Sequence, residues 1–175
     1  MSAGFGTERL DAEPLDRDLH EAELAALHAD ARVMATMGGS TASPEESLEW
    51  IERNLGHGEE PGLGIFVFRE RATGRFVGRG ALRRIEIGGA DEVEVGYAVA
   101  ADVWGRGFAT EMAAGLAAHA EANGLRDLVA YTEPSNAASR RVMEKIGFQY
   151  ERDVDHHGRA QVLYRRRAPG DLSDS

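Results

Sequence analysis

Trp104-Gly105-Arg106-Gly107-Phe108-Ala109-Thr110 is the stretch of this chain with the clearest chemical content. Two glycines one residue apart, just ahead of an amphipathic segment, describe a turn into a helix whose first backbone N–H groups lack intrahelical partners. Such N–H groups converge on one point, and the helix dipole adds to them, so the turn suits an anion and above all a phosphate. Gly105 and Gly107 carry no Cβ to hold a pyrophosphate away and can take positive φ. A Rossmann fingerprint would need Gly or Ala at position 110, where Thr110 stands, and a Walker A loop needs Gly-Lys-Ser/Thr, whereas the one lysine is Lys145. The alternative is a plain tight strand-to-helix connection.

The elements around the turn can be read from periodicity. Upstream, Val93, Val95, Tyr97 and Val99 alternate with Glu92, Glu94, Gly96 and Ala98, the two-residue period of a half-buried strand. Downstream, Ala109, Met112, Ala113, Leu116, Ala117 and Ala120 fall on one face of a helix. A second helix follows a strand at 125–132. Asn136 is placed to cap it, Ala138, Val142, Met143 and Ile146 form its buried side, and Gly147 stops it.

Together these pieces resemble the GCN5-related N-acetyltransferases (the GNAT superfamily). That family's pyrophosphate loop, Gln/Arg-x-x-Gly-x-Gly/Ala, matches Trp104 to Ala109 with Trp replacing the usual first residue. The Asn-x-x-Ser…Glu-Lys-x-Gly-Phe helix and the Trp-Gly-Arg-Gly-Phe-Ala-Thr-Glu wording are most similar to the ribosomal-protein N-terminal (Rim-type) branch, over residues 7–167. The resemblance implies direct acetyl transfer from acetyl-CoA, as cosubstrate, to an amine. It implies phosphate contacts from Trp104, Gly105, Arg106, Gly107, Phe108, Ala109 and Thr110. The pantetheine arm and the oxyanion would meet backbone groups around Tyr97 and Val99. Asn136 and Ser139 would face the pantetheine and the thiol, and Arg140 or Arg141 a phosphate, with a surface ion pair to Glu144 as the other reading of either arginine.

Transfer requires a neutral amine, a donor for the tetrahedral oxyanion and a tolerable leaving thiolate. Glu94 is the expected general base, on the strand that bears the oxyanion donor and beside Gly96, with Glu92 second; an ordinary solvent-facing carboxylate is the alternative for Glu94. Many family members carry Tyr where this chain has Met143, and that Tyr protonates the thiolate. Ser139 is the nearest substitute. A thiolate with a pKa near about 8.5 can also leave unaided.

The 175 residues suit one mixed α/β domain over 7–167, flanked by flexible ends at 1–6 and 168–175. The expected GNAT-like fold has a mixed central sheet, split near the end of the 92–100 strand, with helices on both faces. Strands are expected at 8–14, 64–69, 75–87, 92–100, 125–132, 149–154 and 160–167, and further helices at 17–35 and from Ser43 to about Leu55. No apolar run approaches the roughly 18 residues of a membrane span. The absence of cysteine excludes thiolate catalysis and suits a cytoplasmic location. A net charge of −10 argues against nucleic acid and is compatible with cationic substrates or simple solubility.

His156-His157 lacks a zinc spacing and reads as a polar turn, so no metal is expected. Arg165-Arg166-Arg167 reads as a solvated strand end, His119 as packing, and Gly38-Gly39 as a linker able to hinge a lid. The expected partner is an amine, a peptide or protein α-amine ahead of an antibiotic or polyamine, with a homodimer left open. A non-catalytic acyl-CoA-binding module is the competing function.

Overall fold

The computed structural model describes residues 3–168. Its strands are β1 (Phe5–Gly6), β2 (Leu10–Pro14), β3 (Gly64–Glu70), β4 (Phe76–Ile87), β5 (Ala90–Val99), β6 (Leu128–Thr132), β7 (Gln149–His156) and β8 (Arg159–Arg166). The helices are α1 (Arg17–Ala29), α2 (Ala31–Thr36), α3 (Pro44–Asn54), α4 (Phe108–Ala122) and α5 (Ala137–Lys145). All eight strands form one sheet in the order β1-β2-β3-β4-β5-β6-β8-β7. Every pairing is antiparallel except β5 with β6. That parallel pairing covers only Val93 with Leu128 and Glu94 with Val129, after which the two strands part. The mixed sheet, its split and the helices on both faces are as expected from the sequence.

The strand period assigns the two faces of β5. Val93, Val95 and Val99 join Met112, Leu116 and Ala120 of α4, Met143 of α5 and Phe66 and Phe68 in the main core. Ala98 joins Leu24, Leu27, Val33 and Ile51 beneath α1–α3. Gly80 permits the close approach of α4, since a Cβ there would lie 2.6 Å from Leu116 Cδ1.

Several boundaries differ from the sequence reading for local reasons. The helix expected over 17–35 breaks at Asp30, whose N–H closes α1 on Leu27 and whose side chain caps Arg32 to open α2. The strand expected over 8–14 is a small hairpin. Phe5 starts it, ahead of the expected boundary at residue 7, and its ring packs edge-on to Phe66 at 5.1 Å. Leu125 is not in a strand, because its N–H closes α4 on the Ala120 carbonyl after Gly124 at φ +82°. β7 runs on to His156, leaving only His157 and Gly158, both at positive φ, as the turn. Two arginines of the basic run at the end of β8 are ion-paired rather than solvated, Arg165 bridging Glu92 and Glu151 and Arg166 holding Glu121, while Arg167 is exposed as expected. Most of the expected tail at 168–175 lies outside the described residues.

Candidate active site

The split exposes one edge of β5. Ala100 N–H donates to the Val77 carbonyl at 2.8 Å. By the alternation of an antiparallel ladder, the peptide groups of Gly96 and Ala98 therefore face β4, and those of Val95, Tyr97 and Val99 face the gap. A cleft of about 1070 Å³ passes through the sheet here, so both faces of β5 line it, with Glu94 on one side and Tyr97 on the other.

The glycine turn forms one wall. Gly105 and Gly107 sit at φ +77° and +79°, the left-handed region that the sequence reserved for them. Gly107 is the N-cap of α4, and no side chain caps the helix. The first turn of amides thus opens on the cleft beside Gly105, Gly107, Phe108, Ala109 and Thr110. A Cβ at Gly105 would meet nothing within 4 Å, so the bare backbone leaves room for a phosphate group. Trp104 lines the cleft at 46% exposure, and its Nε1 donates to the Val99 carbonyl at 2.9 Å, bracing the turn against the β5 edge.

Arg106 belongs to the turn through its backbone, and its side chain points away from the cleft. Its guanidinium pairs with Glu70 and lies 4.6 Å above the Phe108 ring, outside the cleft lining. Its carbonyl accepts from Arg9 at 2.9 Å, and Arg9 also pairs with Glu111 at 2.7 Å. These contacts clamp the turn from outside and engage the acidic side chain of the first helical turn away from the cleft.

The α5 segment forms the facing wall. Asn136 Oδ1 accepts from Ser139 N–H at 3.1 Å, and its Nδ2 donates to the Thr36 carbonyl at 3.1 Å, tying α5 to the end of α2. Beyond that tie Gly38 packs on the Arg159 guanidinium, so the segment expected as a hinge lies against the β7–β8 turn. Ser139 Oγ lies 3.0 Å from the Tyr97 hydroxyl, and burial pushes that phenol up to about 12, against a weaker lowering by the hydrogen bond. Met143 is buried and lines the cleft without a proton to give. Arg140 is held by the Tyr164 hydroxyl and the Pro134 carbonyl, outside the lining. Arg141 is exposed and has no ion pair among the described residues.

On the opposite face, Glu94 is only 7% exposed and accepts from Arg83 Nε at 2.6 Å. Tyr131 lies beside both groups, and its phenol is pushed up to about 12, first by burial and then by the Glu94 charge. His57 and His156 line the same end; burial lowers each imidazole below its usual value, with Arg83 also lowering His57 and His157 lowering His156. His156 packs edge-on to Tyr131 at 4.9 Å. Gln161, buried on β8, turns into the cleft with no side-chain hydrogen bond among the described residues. Glu92 is not in the cleft, because Arg165 holds it bidentately at 2.6 and 3.0 Å.

Arg83, Tyr131, His57 and Gln161 stand in no motif along the chain, and His156 reads there only as part of a turn. Their signal is strand register, which sets Arg83 opposite Glu94. That pairing is not visible along a single chain.

Comparison with known proteins agrees with this geometry. The model of the acetyltransferase (GNAT) domain family matches residues 9–149. Bacillus subtilis (strain 168) YkkB, itself an uncharacterized protein, is 27% identical over 124 residues, 70% of this chain and 72% of that one. An acetyltransferase from Agrobacterium tumefaciens str. C58 superposes with a TM-score of 0.78 at 25% identity, covering 94% of each chain. RimL, a ribosomal L7/L12 alpha-N-protein acetyltransferase solved with coenzyme A, superposes with a TM-score of 0.74 at 17% identity, covering 92% of this chain and 95% of its own. With the open β5 edge, the uncapped glycine turn and a family match across most of its length, the chain belongs to the GNAT family and is an acetyl-CoA-dependent N-acetyltransferase.

Proposed function

We propose that the acceptor is a free α-amine of a peptide or protein. The observation that carries this reading is the state of the cleft's β5 carboxylate. Glu94 is engaged by the Arg83 guanidinium at 2.6 Å, and its buried surroundings offer neutral imidazoles rather than a free strong base. A site so built suits an amine that needs little help. At pH 7.5 an α-amine of pKa about 7.7–8.0 is already neutral at the level of tens of per cent, whereas a lysine amine near 10.4 is protonated about a thousandfold over. The likeness to RimL, described as an alpha-N-protein acetyltransferase, supports the same acceptor class.

The roles follow from the two faces. The amides of Phe108, Ala109 and Thr110 hold the pyrophosphate, assisted by the α4 dipole, which contributes about 0.3–2 kcal/mol. Arg141, exposed on α5 and outside the cleft lining, adds a cation that attracts the phosphates through solvent. Acetyl-CoA brings a thioester whose carbonyl carbon accepts the amine and whose thiolate departs. The gap-facing N–H groups of β5 around Tyr97 and Val99 pair the pantetheine arm and receive the oxyanion. Glu94, with His57 and His156 beside it, takes the proton from the acceptor nitrogen. Ser139 faces the departing sulfur.

The test is an acceptor screen with acetyl-CoA by thiol release, spanning peptides, polyamines and aminoglycosides. Peptides with free N-termini should give the highest kcat/KM. Preferred turnover of a polyamine or aminoglycoside would replace the peptide reading with a small-molecule one.

A further inference from the structure

We infer that Tyr97 is a positioning residue for catalysis: its hydroxyl donates to Ser139 Oγ and thereby aims the Ser139 proton into the cleft, at the sulfur of the departing thiolate. Tyr97 lies on β5, and its ring packs against the main core under α4 and α5. For packing alone a Phe would serve. The hydroxyl instead emerges 3.0 Å from Ser139 Oγ and 3.4 Å from the Ser139 carbonyl oxygen, both within hydrogen-bonding reach, and we assign the phenol proton to the shorter contact.

Ser139 is free to use its own proton. Its backbone N–H is taken by Asn136 Oδ1, and its hydroxyl has no other partner among the described residues. A hydroxyl carries one donor and two acceptor sites. When Tyr97 fills an acceptor site, rotation about the Ser139 Cβ–Oγ bond is restricted and the proton points away from the phenol. Both residues line the cleft, and so does Met143 one turn further along α5, which cannot donate. Tyr97 thus acts twice: its gap-facing main chain lies where the oxyanion forms, and its side chain orients the hydroxyl on the leaving-group side.

The pair stabilises charge and transfers no proton. Burial keeps the Tyr97 phenol protonated through the working pH range. A thiolate of pKa about 8.5 is too weak a base to remove a proton from either hydroxyl. In the step itself the acceptor nitrogen bonds to the acetyl carbon, the C–S bond breaks and its electron pair settles on sulfur. The proton lost by nitrogen leaves on the opposite face of β5, and the thiolate takes a proton from solvent after release. The inference rests on acetyl transfer and not on which amine receives the group.

Tyr97→Phe keeps the ring and deletes the hydroxyl. With the best amine from the acceptor screen, kcat should fall about 3- to 10-fold, the range of one neutral hydrogen bond. KM for acetyl-CoA should stay within twofold, and the loss should be constant from pH 6.5 to 9.5. In a Ser139→Ala background the same change should cost nothing further, because the two hydroxyls act as one unit. Wild-type kcat in Tyr97→Phe, or an equal loss in the Ser139→Ala background, overturns the inference. A second measurement does not depend on turnover or on the Phe variant folding. With 3-fluorotyrosine at position 97, the ¹⁹F resonance should move further when CoA binds than when desulfo-CoA, which keeps the pantetheine arm and lacks the sulfur, binds. Equal shifts with the two ligands overturn the inference as well.

Discussion

Gly107→Val tests the phosphate cradle most closely, because its cost to the fold and its cost to binding can be separated. Gly107 stands at φ +79° as the N-cap of α4, and a Cβ there would lie 3.5 Å from Arg9 Nη2, so the side chain fits and only the backbone objects. Holding an L-residue in the left-handed region costs about 1–2 kcal/mol. For a chain of this size that lowers Tm by about 2–8 °C, leaving the protein folded. Relief of the strain turns the Phe108 and Ala109 amides off their common focus. Loss of one charge-assisted hydrogen bond, about 1.5–3 kcal/mol, weakens CoA binding by about 10- to 100-fold. Calorimetric titration should find that loss for CoA and not for S-acetylpantetheine, which has no pyrophosphate. Gly74→Val is the control: Gly74 has φ +71° and open surroundings in the β3–β4 turn, so it should lower Tm similarly and leave CoA affinity alone. Unchanged CoA affinity in folded Gly107→Val, or an equal loss with S-acetylpantetheine, would refute the placement of the phosphates.

Glu94→Gln should lower kcat by about 100-fold with CoA affinity within twofold; Glu92→Gln should keep kcat, because Glu92 is held by Arg165 outside the cleft. Full activity in Glu94→Gln would pass the proton-accepting role to His57 or His156. Arg141→Ala should weaken CoA binding a fewfold at low salt and not at high salt, while Arg106→Ala, already committed to Glu70, should change Tm more than affinity; the reverse pattern would exchange their roles. His28 predicts the acid limb of stability. Burial and then Arg79 lower its pKa from 6.5 to about 4, and its neutral ring accepts from Arg79 Nε at 3.0 Å. Between those values the unfolded chain holds the proton and the folded chain does not, so stability falls as pH drops from 6.5 to 4. The loss reaches about 3 kcal/mol at most, less any screening by solvent. Urea melts of His28→Gln should lose that slope, and an unchanged slope would place the titrating group elsewhere.

Much of the site could be read along the chain because its parts are local. The turn is legible because Gly105 and Gly107 need positive φ, and the start of α5 because Asn136 caps Ser139 over three residues. The split of the sheet follows from the order of hairpins and crossovers. What escaped depends on pairings between distant segments. Arg106 matches the phosphate motif, yet Glu70, from another strand, takes its charge. Glu94 and Glu92 share a strand face, and only register tells that one meets Arg83 in the cleft and the other Arg165 outside it. The role of the Tyr97 side chain is hidden for the same reason: its partner lies on a helix, and the strand pattern assigns the residue by its backbone alone.

The central claim, acetyl transfer to a free α-amine, is tested most directly by one peptide that carries both an unblocked N-terminus and an internal lysine. Incubation with acetyl-CoA at pH 7.5, followed by fragmentation mass spectrometry, locates the added acetyl group. The account predicts modification at the N-terminal nitrogen well ahead of the lysine side chain. Acetylation chiefly at the lysine would contradict it.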